Sequence, residues 1–314
     1  MTRVSGVEPK SERKGLAMYE FFQTLGSWAV LAFVLSSMLN VGLTQKPTKL
    51  WRHLKINRSF LWRMLLLNFV VIPSIMIAIV QLVDLDPVYQ TGLLIFGLCA
   101  GATFLIRLAD ISHADLALAA AVLLVLTVGN IIVLPVMLPI ILEGATVDVW
   151  LVTQNLLTQM ILPLAVGMLL NQFVERFAET IQPWVGRISN ISLYVLIIAI
   201  VIGYLPALAD FQVWKAIMVG TYVLLLSLFL GWAMGDGHGH LKDVGSLGTA
   251  QRGVAPAMIV AQGNFDDPGV LMIITLVNLA GVVALIIAAK IFSRDNAVQL
   301  IEPVPLNPAR RAKV

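Results

Sequence analysis

The sequence predicts an all-α integral membrane protein with nine transmembrane helices, and three observations carry this prediction. Of the 314 residues, 59% are hydrophobic and only 12% are charged, and the mean hydropathy is +0.89. This balance excludes an ordinary soluble domain. Apolar runs of about 20 residues, the length of a helix that crosses the hydrocarbon core, recur along the whole chain. Two of these runs are interrupted by glycine, proline and polar residues.

The nine predicted spans are separated by short polar loops, and the fourth is long enough to require tilt. Residues 1–20 are expected to form an N-terminal tail without the apolar core of a signal peptide, so the first span would act as an uncleaved signal anchor. Residues 293–314, which carry three prolines and several charges, are expected to form a disordered cytoplasmic tail. The spans are 21–43, 61–83, 88–112, 114–142, 151–173, 188–205, 214–235, 241–264 and 268–292.

The distribution of Lys and Arg predicts the orientation, because cytoplasmic loops are enriched in both residues. One side of the membrane collects fourteen of the 21 cationic side chains and the other side collects five, while Arg107 and Arg252 lie within spans. We therefore expect the N-terminus outside, the loop 45–60 inside and the C-terminus in the cytoplasm of a cell whose plasma or inner membrane holds the protein. The fourteen are Lys46, Lys49, Arg52, Lys55, Arg58, Arg63, Arg176, Arg187, Lys242, Lys290, Arg294, Arg310, Arg311 and Lys313.

The eighth span has the pattern of a helix that is broken in its middle. Glycine and proline lower helix propensity there, and proline lacks the N–H that bonds one turn back. An arginine at this depth costs about 3 kcal/mol on insertion scales, and a bound anion is the simplest group that would compensate its charge. The breaking and polar residues are Gly245, Gly248, Thr249, Gln251, Arg252, Gly253 and Pro256.

The third span repeats this design, with Gly97 and Gly101 at the interruption, Thr103 just after it and Arg107 one turn further on. Interrupted hydrophobic segments in corresponding positions of two halves indicate a transporter binding site. Spans two to four resemble spans seven to nine in order and type, and the two broken segments are five crossings apart. The pattern therefore predicts two repeats of inverted topology.

Each candidate site residue has a structural alternative. Arg252 binds a substrate carboxylate, replaces the charge of a sodium ion, or pairs with backbone carbonyls. Arg107 faces the binding site or pairs with Asp110 three residues later. The threonines face a ligand or bond to their own helix, and Asn68 binds a ligand or satisfies the carbonyl that Pro73 leaves free. The predicted substrate or ion site consists of Asn68, Thr103, Arg107, Thr249, Gln251 and Arg252.

These features favour a secondary transporter of a small organic anion that works by alternating access, with sodium or protons as the coupled ion. The alternatives are a membrane-embedded enzyme and a passive channel or structural subunit. Catalytic, cofactor and nucleotide-binding motifs are not found, and a net charge of +3 does not indicate nucleic acid. Asp236, His238 and His240 could hold zinc, but their glycine-separated spacing is more typical of a solvated loop.

Four sequence segments are similar to motifs of the bile acid:sodium symporter family, and the resemblance runs from about residue 28 to 292. It implies two inverted repeats that form a panel domain (spans 21–43, 151–173 and 188–205) and a core domain of the other six spans, with the broken helices crossing in the core. The segments are MLNVGLTQKP (38–47), NFVVIP (68–73), CAGATFLIRLADISHADLALA (99–119) and GTAQRGVAPAMIVAQGNF (248–265).

The sequence departs from the family pattern where the family places its sodium ligands. Of the positions that the resemblance aligns with those ligands, only Asn68 and Gln251 carry ligand oxygens. Alkyl groups cannot replace the oxygen shell of a cation, so we expect transport to depend weakly or not at all on sodium. The protein would work as a uniporter or couple to protons through Asp110 or His113. The aligned apolar residues are Leu105, Ile106, Ala119, Leu123 and Leu247.

Overall fold

A computed structural model describes residues 10–45, 54–142, 148–203, 205–235, 239–265 and 267–301. Within these ranges the chain is helical, and no β-strand occurs among them. The helices, in chain order, are α1 (Lys10–Thr44), α2 (Arg58–Leu82), α3 (Pro87–Leu98), α4 (Leu105–Ile111), α5 (Leu116–Ile141), α6 (Val149–Phe173), α7 (Glu175–Gly203), α8 (Phe211–Ala233), α9 (Gly239–Ala250), α10 (Val254–Asn264) and α11 (Pro268–Ile301).

Seven helices of the described residues are long and apolar enough to cross a membrane. They correspond to the first, second, fourth, fifth, sixth, seventh and ninth predicted spans. The third and eighth predicted spans are each divided into two short helices, α3 with α4 and α9 with α10. The division agrees with the interruptions that the sequence predicts for these two segments.

Three predicted boundaries differ from the structure. Helix α7 begins at Glu175, well before residue 188, because its first turns are too polar for an apolar run but still helical. Helix α11 continues to Ile301, so the expected disorder is wrong over 293–301, where neither glycine nor proline interrupts the helix. Helix α1 begins at Lys10, within the predicted tail. Residues 302–314 lie outside the described ranges.

The helices pack in two sets of neighbours. Helix α1 packs against α6 and α7, and these two also contact each other. Helix α8 packs against α9 and α11, and α3 packs against α2 and α11. Contacts of α10 with α6 and α1, and of α5 with α6, join the two sets.

Two membrane-length helices contain a π turn just before a proline. The turn Leu67–Val71 in α2 precedes Pro73, and the turn Leu157–Ile161 in α6 precedes Pro163. The main-chain N–H of Ile72 donates to the carbonyl of Leu67, and that of Leu162 donates to the carbonyl of Leu157. Proline cannot donate a main-chain hydrogen bond, so each turn rearranges the helical hydrogen bonding around it.

Candidate functional site

The two interruptions meet and pair through their main chains. Ala100, between α3 and α4, forms an isolated antiparallel bridge with Arg252, between α9 and α10. The N–H of Gly253 donates to the carbonyl of Cys99 over 3.1 Å. A Cβ on Gly253 would lie 2.5 Å from the carbonyl oxygen of Ala100, so only glycine permits this approach. We call this pair of segments, residues 99–104 and 251–253, the crossing.

The first segment of the crossing also needs glycine for its backbone conformation. Gly101 has φ +70°, in the left-handed region that side chains with a Cβ disfavour. A Cβ at this position would lie 2.7 Å from the Cβ of Leu126 in α5. Gly101 therefore turns the chain at the break as the sequence predicts.

The second interruption is shorter than the sequence predicts. Gly245 and Gly248 lie inside α9, where a Cβ on Gly245 would meet the carbonyl of Gly231 at 2.8 Å. These glycines serve close helix packing and do not break the helix. Pro256 is the third residue of α10, and the first turn of a helix leaves its N–H groups without helical acceptors, so proline costs nothing there. The break itself spans only Gln251, Arg252 and Gly253.

A buried asparagine that the sequence interpretation did not select holds the first segment. The side-chain amide of Asn130, in α5, donates to the carbonyl of Ala100 over 2.6 Å and accepts from its N–H over 3.0 Å. Asn130 is fully buried. Ala100 pairs with Arg252 on one side. On its other side, the Asn130 amide supplies the two hydrogen bonds that a second neighbouring strand would supply in a sheet. The available sequence signal was a single Asn in the middle of a 26-residue apolar helix.

The guanidinium of Arg252 lies between α2 and α3. Its Nη1 donates to Oδ1 of Asn68 over 2.9 Å, and its Nη2 donates to the main-chain carbonyls of Asn68, over 3.4 Å, and Gly97. Gly97 belongs to the last turn of α3, whose carbonyls lack helical donors and form the negative end of the helix dipole. Arg252 thus caps α3 and joins it to α2 and the second break.

The main-chain carbonyl of Asn68 is free to accept a hydrogen bond from Arg252 because of the π turn. In an α-helix its carbonyl would accept from Ile72, but the N–H of Ile72 donates to Leu67. In a π-helix the donor would be Pro73, which has no N–H. The Asn68 amide nitrogen donates to the carbonyl of Met64 over 3.0 Å. Asn68 therefore receives Arg252 and does not satisfy the carbonyl that Pro73 leaves free.

The charge of Arg252 is held by neutral groups. Its acceptors are one amide oxygen and two main-chain carbonyls, and none of the acidic side chains described here forms an ion pair with it. The residue is 1% exposed, and its Nε has no hydrogen-bond partner among the described residues. A full positive charge therefore remains inside the crossing, where the low dielectric extends its field.

Two further predicted site residues lie beside this centre. The hydroxyl of Thr249, fully buried, contacts Sδ of Met64 at 3.6 Å and lies 3.5 Å from Nδ2 of Asn68. The side-chain oxygen of Gln251 is buried and has no donor in the described part of the chain. The structure thus brings Asn68, Thr249, Gln251 and Arg252 together at the crossing.

The other two predicted site residues lie apart from this group. Thr103 is half-buried and lines a small cavity between α5 and the pair α1 and α6. Arg107 is exposed near the start of α4 and forms no ion pair with Asp110, which is also exposed. Arg107 therefore neither joins Arg252 nor forms the helix-surface pair that its spacing allows.

Two cavities separate α1 and α6 from the helices around the crossing. One is an open cleft of about 500 Å³, lined by Trp28, Gln159, Gln262 and Phe265 among others. The other, next to Thr103, holds about 10 Å³, roughly the space of one water molecule. The space between the two sets of helices is open at one end and nearly closed at the other.

The positions that the resemblance aligns with sodium ligands form part of an apolar core. Leu105, Ala119, Leu123 and Leu247 are all at most 2% exposed and belong to one hydrophobic cluster. A sodium ion needs several oxygen ligands, and the side chains packed at these four positions supply none. Asp236 and His238 of the alternative zinc motif lie outside the described residues.

Comparisons with known proteins give two matches. The model of the sodium bile acid symporter family matches residues 30–211. The probable sodium/metabolite cotransporter BASS1, chloroplastic, of Arabidopsis thaliana is 26% identical over 208 residues, which cover 65% of this chain and 50% of that protein. The chain spans about half the length of this curated relative.

Proposed function

Because the chain belongs to the sodium bile acid symporter family, we propose that it is a secondary transporter that moves a small organic anion by alternating access. The family is one of transporters, and the relative in Arabidopsis carries the name of a sodium/metabolite cotransporter. The observation that carries the proposal is the buried, positively charged Arg252 at the meeting point of two broken helices. An uncompensated charge in a low-dielectric site attracts an anion without direct contact.

The packing of the helices supports a two-body movement. In this proposal α1, α6 and α7 form the panel, and the remaining helices form the core around the crossing. The open cleft of about 500 Å³ and the water-sized cavity both lie between the two proposed bodies. Rocking of the panel against the core would close the open cleft and open the water-sized cavity.

The second part of the proposal is that Arg252 replaces a coupled sodium ion. Its guanidinium binds Asn68 Oδ1 and two main-chain carbonyls, and oxygens of these kinds are ligands for hard cations. A guanidinium stays charged at any relevant pH, so the crossing would keep permanently the positive charge that sodium supplies transiently. The apolar packing of Leu105, Ala119 and Leu247 favours the same conclusion.

The test is uptake of radiolabelled cholate and pyruvate, a large and a small carboxylate, into proteoliposomes. We expect uptake of at least one of them above that of protein-free vesicles, and a rate that changes less than twofold when potassium or choline replaces sodium. A drop of tenfold or more, equivalent to about 1.4 kcal/mol of coupling, would contradict the replacement of sodium by Arg252. If neither cholate nor pyruvate is taken up, the proposal of anion transport is contradicted.

A further inference from the structure

The two π turns share one local sequence and one rearrangement of hydrogen bonds. They read LNFVVIP (67–73) and LTQMILP (157–163), with the polar residue second and the proline last. In each, the N–H of the residue before proline donates to the first residue of the turn. The carbonyl of the second residue, Asn68 or Thr158, therefore loses its α-helical donor, and its π-helical donor would be a proline.

The two freed carbonyls have different surroundings. That of Asn68 is buried and accepts from Arg252. Thr158 is exposed, and its hydroxyl donates to the carbonyl of Gln154 over 2.8 Å. Over the described ranges of the chain, none of the side chains donates a hydrogen bond to the Thr158 carbonyl.

The depth of Thr158 in the membrane decides what surrounds its carbonyl. Thr158 lies near the middle of α6, a helix long and apolar enough to span the bilayer. Hydrocarbon cannot satisfy a free carbonyl, so such a group occurs only against protein or a water-filled cavity. The next residue, Gln159, lines the open cleft, which places the water-filled space beside the turn.

We propose that the Thr158 carbonyl and the Gln159 side-chain amide form a subsite that binds a hydroxyl group of the transported solute. A hydroxyl both donates and accepts hydrogen bonds. It would donate to the Thr158 carbonyl and accept from the Gln159 amide nitrogen. Trp28, Leu31 and Phe265 of the same cleft would contact the apolar part of the solute. This inference rests on the proposed transport function and names a chemical feature of the substrate.

The first experiment tests whether the turn faces the cleft. In Thr158→Cys, a membrane-impermeant maleimide should label the new thiol from one side of the membrane. The wild-type protein is the control, because its only cysteine, Cys99, is fully buried. A Thr158→Cys thiol that stays unlabelled from both sides would overturn the proposal, since the turn would then face lipid or protein.

The second experiment tests hydroxyl recognition with two matched pairs of probes, cholate against 5β-cholanate and 2-hydroxyisovalerate against isovalerate. Protection of the cysteine from labelling gives the affinity of each probe. In at least one pair the hydroxylated probe should bind about fivefold more tightly, which corresponds to one net hydrogen bond. Equal protection within both pairs, or none by any probe, would overturn the proposal.

A third variant removes the subsite without changing a side chain that lines the cleft. Pro163→Ala restores an N–H, so the main chain can satisfy the Thr158 carbonyl. We expect the ratio of affinities within a probe pair to fall below twofold. The affinity for the probe that lacks the hydroxyl group, 5β-cholanate or isovalerate, should be unchanged. Pro139→Ala in α5, a helix without a π turn, should leave the preference intact. If Pro163→Ala retains the preference, the carbonyl does not bind the solute. Carboxylate uptake by the wild-type protein would then still support the transport function.

Discussion

The environment of Arg252 bears on the three alternatives for this residue, which are substrate binding, replacement of a sodium charge and pairing with main-chain carbonyls. A guanidinium bound by neutral oxygens and 1% exposed cannot contact a solute in the cleft without rearrangement of the crossing. Its contacts with Asn68 and Gly97 agree with the structural alternative for this arginine, while its uncompensated charge gives it an electrostatic role. One side chain thus joins three chain segments and sets the potential of the site.

Neutralising Arg252 should make transport sodium-dependent. In Arg252→Gln the oxygens of Asn68 and Gly97 lose their cation, and each buried unsatisfied acceptor costs about 1–3 kcal/mol. We expect uptake to fall at least tenfold in choline medium and to recover in part in sodium, which those oxygens could bind. The measurement is proteoliposome uptake in both media.

Arg252→Lys is the matched variant for this prediction. It keeps the charge and loses the planar fork that reaches several acceptors, so it should retain partial activity without sodium dependence. Folding of both variants is checked by their elution in size-exclusion chromatography. Normal uptake by Arg252→Gln in choline medium would mean that the charge has no role in transport.

At the scale of elements, the crossing depends on a helix that does not itself break. Helix α5 carries Asn130, whose amide satisfies both main-chain groups of Ala100. Ala100 is bound by this amide on one side and paired with the second break on the other. The main-chain groups of Ala100 in the first interruption are therefore satisfied, as the membrane interior requires.

Loss of the Asn130 amide should loosen the crossing. In Asn130→Leu the N–H and carbonyl of Ala100 become unsatisfied, at about 1–3 kcal/mol each. Cys99, adjacent to Ala100 and 0% exposed, provides a native probe because it is the only cysteine. We expect N-ethylmaleimide to label Cys99 at least tenfold faster in Asn130→Leu than in the wild-type protein.

The control for this prediction is Asn278→Leu, which changes a half-buried Asn in α11. Labelling of Cys99 in this variant should match that of the wild-type protein. If Cys99 remains inert in Asn130→Leu and carboxylate uptake is normal, Asn130 does not position the crossing.

At the scale of the whole molecule, the orientation in the membrane gives the open cleft its direction. If the N-terminus lies outside, as the distribution of Lys and Arg predicts, the cleft next to Phe265 and Asp267 opens to the outside. The water-sized cavity, near Gln45, then lies toward the cytoplasm. In this orientation the structure would represent an outward-open state of the proposed cycle.

The orientation is tested with reporters fused at two positions. Because fourteen cationic side chains are predicted on one side and five on the other, a C-terminal green fluorescent protein should fluoresce and a C-terminal alkaline phosphatase should be inactive. Fusion of the phosphatase after residue 210, in a loop predicted outside, should give an active enzyme. The opposite pattern at the two positions would invert the proposed direction of the cleft.

The sequence alone determined the membrane class, the seven long apolar helices and which two segments are interrupted. These follow from apolar runs of bilayer length and from Gly101, Gly253 and the polar residues beside them, which are local properties of the chain. Long-range partners decided the rest. The sequence predicts that Gly245 and Gly248 break the helix. They are helical in the structure, where neighbouring side chains and main chain pack closely against them.

Only the tertiary structure decided what Arg252 binds and which residue holds Ala100. The acceptors of Arg252 lie 184 and 155 residues away along the chain, and Asn130 lies 30 residues from Ala100. A buried polar group takes whichever partner the packing brings within hydrogen-bond distance, and sequence spacing does not specify that partner. For the same reason, the carbonyls freed by the two prolines have different environments although their local sequences match.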